Sequence, residues 1–152
     1  MSEGDPLREQ VQEWYSRAEL DLANARVLHA TGPRAYDNVV FLCQQAIEKV
    51  IKTCLVVHGV RFPKIRDIAR LLETYVVQVD PHLAAEAAFA DELGAYAVDA
   101  RYPDTGEPFD EETSERLLAL TDRAWAIFEP RILEFLEADA DAGAEEPRAP
   151  DA

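Results

Sequence analysis

Apolar residues recur at helical spacing between residues 35 and 58, which predicts one long helix there. These positions spread widely enough around the helix to indicate burial on most sides: Val40, Cys43, Ile47, Val50, Cys54 and Leu55. One polar strip interrupts them, formed at three- and four-residue spacing by Gln45, Glu48, Lys49 and Lys52. A buried helix with one narrow polar strip turns that strip either to water or to a binding site, and the sequence leaves both interpretations open.

The same periodicity predicts further helices on either side. They cover roughly residues 7–30, 65–79, 80–100 and the region from 110 onwards. Gly59 is predicted to cap the second helix, and Asp80-Pro81 to begin the fourth. Pro130 should kink or restart the last one. Since no segment alternates with period two, we predict an all-α fold, an antiparallel up-and-down bundle of about five helices.

The domain organisation follows from where this pattern starts and stops. We expect a flexible N-terminus at residues 1–7, one helical bundle at 8–137 and an acidic disordered tail at 138–152, where Ala, Asp, Glu and Pro dominate. No apolar run approaches the roughly 20 residues that span a bilayer, and the acidic N-terminus does not resemble a signal peptide. A cytoplasmic protein without membrane contact is therefore expected.

The net charge of −15 argues against binding long duplex DNA, because Lys and Arg contacts to phosphate dominate that affinity. One local region is basic nevertheless, between residues 49 and 70. Its cations are Lys49, Lys52, Arg61, Lys64, Arg66 and Arg70. Such a region is either a solvated surface or an anion-binding site.

A candidate binding site combines this region with the polar strip. Gln45, Lys49 and Lys52 are predicted to line a groove with Lys64, Arg66 and Asp67. Arg101 and Tyr102, in the loop after the fourth helix, would add a guanidinium fork for phosphate or carboxylate and a stacking face. Arg101 pairing with a nearby aspartate, and merely fixing that loop, remains an equal alternative.

Other chemistry finds little support in the sequence. None of the three histidines follows a Glu at the spacing of di-iron bundles, and no phosphate-binding Gly-rich loop occurs. Both cysteines lie on the apolar stripe, where thiolate formation is disfavoured. We therefore predict no metal, no cofactor and no catalytic residue.

Three motifs together resemble the HEPN domain family. They are the run from Phe41 to Lys49, the Pro63-Lys64 loop and Arg101-Tyr102-Pro103, within a resemblance that covers about residues 8–137. The resemblance implies a helical bundle that commonly forms homodimers and has nucleotide-related functions. It also implies a minimal nucleotidyltransferase as a possible partner, often in a toxin–antitoxin-like pair.

Some members of this family are metal-independent ribonucleases that carry an Arg, four to six residues and then a His. That motif is absent here, and the chain has Arg66-Asp67 where relatives often have His-Asp. Arginine stays protonated and cannot serve as a general base. The resemblance therefore favours a non-catalytic module that binds a nucleotide or a nucleotidyltransferase. The alternatives are a ribonuclease toxin that cleaves RNA through an atypical site, and a purely structural adaptor.

Overall fold

Five helices build the protein in the computed structural model, which describes residues 5–96 and 107–145 and side chains as far as residue 138. They are α1 (Pro6–Thr31), α2 (Tyr36–Val57), α3 (residues 68–79), α4 (Pro81–Glu86) and α5 (Glu111–Glu145), with 3₁₀ segments at Pro33–Ala35 and Ala88–Tyr96. No β-strand occurs in these described ranges. The predicted all-α fold class is confirmed.

The three long helices α1, α2 and α5 pack on one another and enclose the core. Each contributes a buried apolar stripe, and all six apolar positions predicted on α2 are buried. The largest fully buried side chains include Ile47, Ile51 and Leu55 of α2, with Leu117, Phe128 and Ile132 of α5. Within the described part of the chain, no helix is both long and apolar enough to cross a membrane.

Gly59 ends α2 in the conformation that the sequence predicts. Its φ is +71°, its N–H donates to the Val56 carbonyl, and the N–H of Val60 donates to the Leu55 carbonyl. These two bonds form a Schellman motif, which requires a left-handed residue at this position. Only glycine adopts that conformation at little cost.

Replacing Gly59 with alanine is therefore expected to lower the free energy of unfolding by about 1–2 kcal/mol. A Cβ atom at this position would meet no atom within 4 Å, so the loss would come from the backbone alone. Gly94→Ala is the matched control, because its Cβ would make only an ordinary contact, 3.5 Å from Asp91 Oδ1. Urea unfolding of the two variants measures the difference, and equal stabilities would contradict this account of Gly59.

The third and fourth helices depart from the prediction. α3 begins at Ile68 rather than near residue 65, and it contains a π-helical segment, Leu71–Val76, between the α-helical Ile68–Arg70 and Val77–Val79. Of the predicted fourth helix, residues 97–100 lie outside the described residues, and the described part is α-helical over Pro81–Glu86 and 3₁₀ over Ala88–Tyr96. Ala87, Ala90 and Leu93 are all fully buried, and their three-residue spacing matches the period of a 3₁₀ helix. The capping role predicted for Asp80 is confirmed, since its Oδ1 accepts the His82 N–H at 2.8 Å.

The last helix is longer than the sequence predicts. It begins after Asp110, whose side chain accepts the Thr113 N–H at 2.9 Å, and it runs to Glu145, past the boundary expected at 137. It also continues through Pro130, so the predicted restart does not occur. The missing N–H leaves the Ala126 carbonyl without its helical donor, and both Ala126 and Pro130 are exposed, so this turn lies on the solvent side of α5.

A polar cluster joins α1 to α5. Glu129 accepts a short hydrogen bond from the Tyr15 hydroxyl and a second from Trp125 Nε1 at 2.9 Å. Burial raises the pKa of Tyr15 well above its usual range, and the hydrogen bond and negative charge of Glu129 raise it further. Tyr15 therefore keeps its proton in the folded protein at pH values where the unfolded chain loses it.

This linkage predicts a loss of stability in alkali. Above pH about 10, where an ordinary tyrosine ionises, the free energy of unfolding should fall as the pH rises, because the unfolded state releases the Tyr15 proton first. Tyr15→Phe should make this fall shallower, although the variant is less stable at pH 7 through loss of the Glu129 hydrogen bond. Urea unfolding at several pH values measures the slope. Identical alkaline slopes for the two proteins would contradict the assignment to Tyr15.

Candidate functional site

The polar strip of α2 contains a buried ion pair. Lys52 Nζ lies 2.9 Å from Glu48 Oε2, and the two side chains are only 7% and 8% exposed. The same ammonium group lies 5.8 Å from the centre of the Phe62 ring. Glu48 Oε1 is buried and has no hydrogen-bond partner among the described residues. Lys52 therefore serves the interior of the bundle rather than an open surface.

Lys49 also has a partner within the protein. Its Nζ lies 2.7 Å from Asp21 Oδ2 on α1, and the side chains are 28% and 15% exposed. This ion pair links α2 to α1, in addition to the apolar packing between the two helices. Lys49 and Lys52, the two lysines predicted as site residues on α2, are thus each paired with a carboxylate of the protein, so neither is available to bind an anionic ligand.

Beside this strip lies a groove of about 410 Å³. One wall is α2, the second is the turn before α3, and the third is the 3₁₀ segment that follows α4. The residues that line the groove are Phe41, Gln44, Gln45, Arg66, Asp67, Asp91 and Gly94. The groove therefore brings together Gln45, Arg66 and Asp67 from the predicted site.

The groove has an aromatic edge and a polar floor. Phe41 is 50% exposed, which is unusual for a phenylalanine on the central helix of a bundle. Gln44 is 8% exposed and Gln45 is half-buried, and these two adjacent residues lie three and four positions after Phe41, on the same side of α2. An open aromatic face next to amides is suited to a planar, hydrogen-bonding ligand.

Arg66 and Asp67 occupy the turn that leads into α3. The Asp67 backbone is extended, and its Oδ1 accepts the Arg70 N–H at 3.3 Å, which makes Asp67 the N-cap of α3. Arg66 is exposed and forms no ion pair with any other residue in the described ranges. The groove therefore has an open guanidinium group on a backbone that the cap holds in place.

Of the remaining predicted residues that the structure describes, Lys49, Lys52 and Lys64 do not line this groove. Lys64 is exposed in the preceding loop and does not line it. Arg101 and Tyr102 lie outside the described residues. Sequence reasoning missed Phe41, Gln44, Asp91 and Gly94. The first two had a usable signal, because Phe41 and Gln44 lie three or four residues before members of the polar strip and extend it by one turn.

The cysteines of α2 are core residues, as the sequence predicts. Cys43 and Cys54 are fully buried free thiols, and burial raises the pKa of each to about 11. A thiol that keeps its proton at neutral pH is a poor nucleophile. This part of the core therefore offers no activated nucleophile.

Another polar cluster, formed by His58, Arg131 and Asp80, lies at the C-terminal end of α2. Arg131 Nη2 donates to Asp80 Oδ2 at 3.1 Å, and Arg131 Nη1 lies 3.5 Å from His58 Nε2. Partial burial lowers the pKa of His58, and the positive charge of Arg131 lowers it further. The imidazole is therefore neutral at pH 7 and sits beside a fixed positive charge.

The fold and its groove define a helical-bundle domain with a ligand-sized cleft beside its central helix. Comparison with protein families gives a match to the HEPN domain over residues 11–130. The match covers most of the chain, which belongs to the HEPN domain family, and the resemblance predicted from the sequence motifs is confirmed. No curated protein matches this chain, and no solved structure does.

Proposed function

We propose that this protein is a non-catalytic HEPN-type module that binds a nucleotide in the groove beside α2. The observation that carries the proposal is the groove itself, in which Phe41, two glutamine amides and the open Arg66 guanidinium surround about 410 Å³. That volume falls within the range of small-molecule sites, which runs from roughly 300 to 1,000 Å³.

Each side chain suits one part of a nucleotide. The exposed ring of Phe41 is a stacking platform for a base, since every base has a π face. The amides of Gln44 and Gln45 offer both donors and acceptors for a base edge. Arg66 matches a phosphate with its planar fork, and the aspartates can accept hydrogen bonds from ribose hydroxyls.

The same residues explain why binding rather than cleavage is proposed. Arg66 remains protonated and cannot remove a proton from a 2′-hydroxyl. Asp67 uses one oxygen to cap α3, which leaves its second oxygen to accept a hydrogen bond from a ligand. No histidine is among the described residues that line the groove.

Equilibrium binding tests this proposal directly. Isothermal titration of the untagged protein with the four nucleoside monophosphates should reveal at least one that binds more tightly than its nucleoside or inorganic phosphate alone. Such an advantage requires that base and phosphate are recognised together. Failure of all four at millimolar concentration would overturn the proposal.

We extend the proposal to partners on the basis of the family. HEPN domains commonly dimerise, and a cytoplasmic homodimer paired with a minimal nucleotidyltransferase in a toxin–antitoxin-like context fits a nucleotide-binding module. Affinity purification from the native cells, with mass spectrometry of proteins and extracted small molecules, tests this extension. A stoichiometric nucleotidyltransferase would support it, whereas recovery of the chain without one would count against it.

One observation favours the second candidate function, cleavage of RNA. His58 and Arg131 supply a neutral imidazole and a guanidinium group 3.5 Å apart, which are the types of group that metal-independent phosphodiester cleavage needs. Incubation of RNA with the protein in EDTA tests this candidate. Cleavage by the wild-type protein that His58→Gln abolishes would favour it over simple binding, and intact RNA would exclude it.

A further inference from the structure

Three potential metal ligands from distant parts of the chain meet where α1 ends and α5 begins. His29 lies in the last turn of α1, while Glu111 and Glu115 are one turn apart at the start of α5. One ligand atom from each residue lies within 4.8 Å of those of the other two. This cluster lies outside the residues that line the groove beside α2.

The imidazole of His29 is held by two contacts outside the cluster. Its Nδ1 lies 2.7 Å from the hydroxyl oxygen of Ser114, a fully buried residue, and its ring stacks on Tyr36 with centroids 5.7 Å apart. The other ring nitrogen, Nε2, lies 3.9 Å from Glu115 Oε1. Metal-binding histidines usually have one ring nitrogen held by a hydrogen bond while the other binds the ion, and the Ser114 contact can hold His29 in this way.

The charges and their freedom to move also suit a cation. Two carboxylates supply two negative charges, which outweigh the partial charges of the two helix ends that meet here, because those are opposite in sign. Ligands of one ion with bonds of about 2.0–2.2 Å lie roughly 3–3.5 Å apart, so the cluster must contract slightly. The side chain of Glu115 is 64% exposed and can rotate toward His29 without disturbing the core.

We propose that His29 Nε2, Glu111 and Glu115 bind a divalent first-row transition-metal ion. One imidazole nitrogen with two carboxylates suits Zn²⁺ or Co²⁺ better than Mg²⁺ or Ca²⁺, which prefer ligand sets made entirely of oxygen. Three protein ligands leave at least one coordination position for water. The ion clamps the end of α1 to the start of α5.

Cobalt is the probe, because bound Co²⁺ absorbs visible light and its spectrum reports the ligand geometry. Titration of the untagged protein with Co²⁺ should give a saturable absorption with one ion per chain, which Zn²⁺ abolishes and excess Mg²⁺ does not. Glu115→Gln should weaken binding about 10-fold or more, and His29→Gln should abolish the spectrum.

Glu112→Gln is the matched control, since Glu112 is an exposed neighbour that makes the same charge change without belonging to the cluster. It should change the affinity less than twofold. Equal weakening by Glu112→Gln and Glu115→Gln would overturn the site in favour of general electrostatic attraction. Absence of any saturable Co²⁺ binding to the wild-type protein would overturn it as well. Circular dichroism of each variant confirms that it is folded.

Discussion

Replacement of Lys52 by methionine is expected to lower the free energy of unfolding by about 3–5 kcal/mol. The ammonium group and the Glu48 carboxylate are both more than nine-tenths buried, and they lie 2.9 Å apart. Removing the lysine charge leaves a carboxylate in a low-dielectric interior, and its other oxygen already has no hydrogen-bond partner in the part of the chain that the structure describes. The cation–π contact between the ammonium group and the Phe62 ring is lost at the same time. Urea unfolding at pH 7 measures the effect.

The double variant Glu48→Met with Lys52→Met separates the cost of an unpaired charge from the value of the pair. Two apolar side chains of similar length remove both charges, so most of the stability should return. Lys49→Met is the control for a half-buried pair and should cost only about 1 kcal/mol, because Lys49 and Asp21 retain access to water. If Lys52→Met and Lys49→Met lower the stability equally, the buried ion pair does not have the role assigned to it.

Arg66→Ala is expected to weaken nucleotide binding by about 10- to 100-fold, the equivalent of one charged hydrogen bond to phosphate at about 1.5–3 kcal/mol. Arg66 is exposed and lines the groove, so its removal should leave the folded structure intact. Isothermal titration with the tightest-binding monophosphate measures the loss.

The control for this prediction is Arg70→Ala. Arg70 is also exposed and lies only one helical turn away, but it does not line the groove. It makes the same change in net charge and should alter the affinity less than threefold. The two variants should bind the corresponding nucleoside equally well, because in the proposed binding mode Arg66 contacts only the phosphate. Similar losses of affinity in both variants would contradict the assignment to Arg66. They would mean that the phosphate binds elsewhere or is attracted only by the overall positive charge of this region.

The fold was predictable where one local signal determined one outcome. The apolar positions of α2 correctly predicted that this helix is buried. Gly59 correctly predicted where the helix ends, because the Schellman motif needs a left-handed residue. The 3₁₀ segment Ala88–Tyr96 was not predictable in this way, since its alanines favour an α-helix over other structures. Only its packing against the rest of the bundle selects the three-residue period. The passage of α5 through Pro130 likewise depends on exposure of that turn.

The candidate site was predictable in part. Periodicity placed the polar strip on one face of α2, yet it could not show that Lys52 and Glu48 lie under other residues while Gln45 stays open. Burial of a strip depends on the elements that cover it. The meeting of α2 with Arg66 and Asp67 was anticipated, whereas Asp91 and Gly94 come from a segment whose approach depends on the unexpected 3₁₀ geometry. His29, Glu111 and Glu115 carry no sequence spacing that predicts their meeting.

The central claim is that the groove beside α2 binds a nucleotide, and NMR titration of the isotopically labelled protein tests it most directly. The side-chain amide signals of Gln44 and Gln45 and the ring signals of Phe41 should shift together and saturate as a nucleoside monophosphate is added. Signals of residues around His58 and Arg131 should remain unchanged. Saturable shifts at that second cluster with none at the groove would contradict the account and favour the ribonuclease alternative.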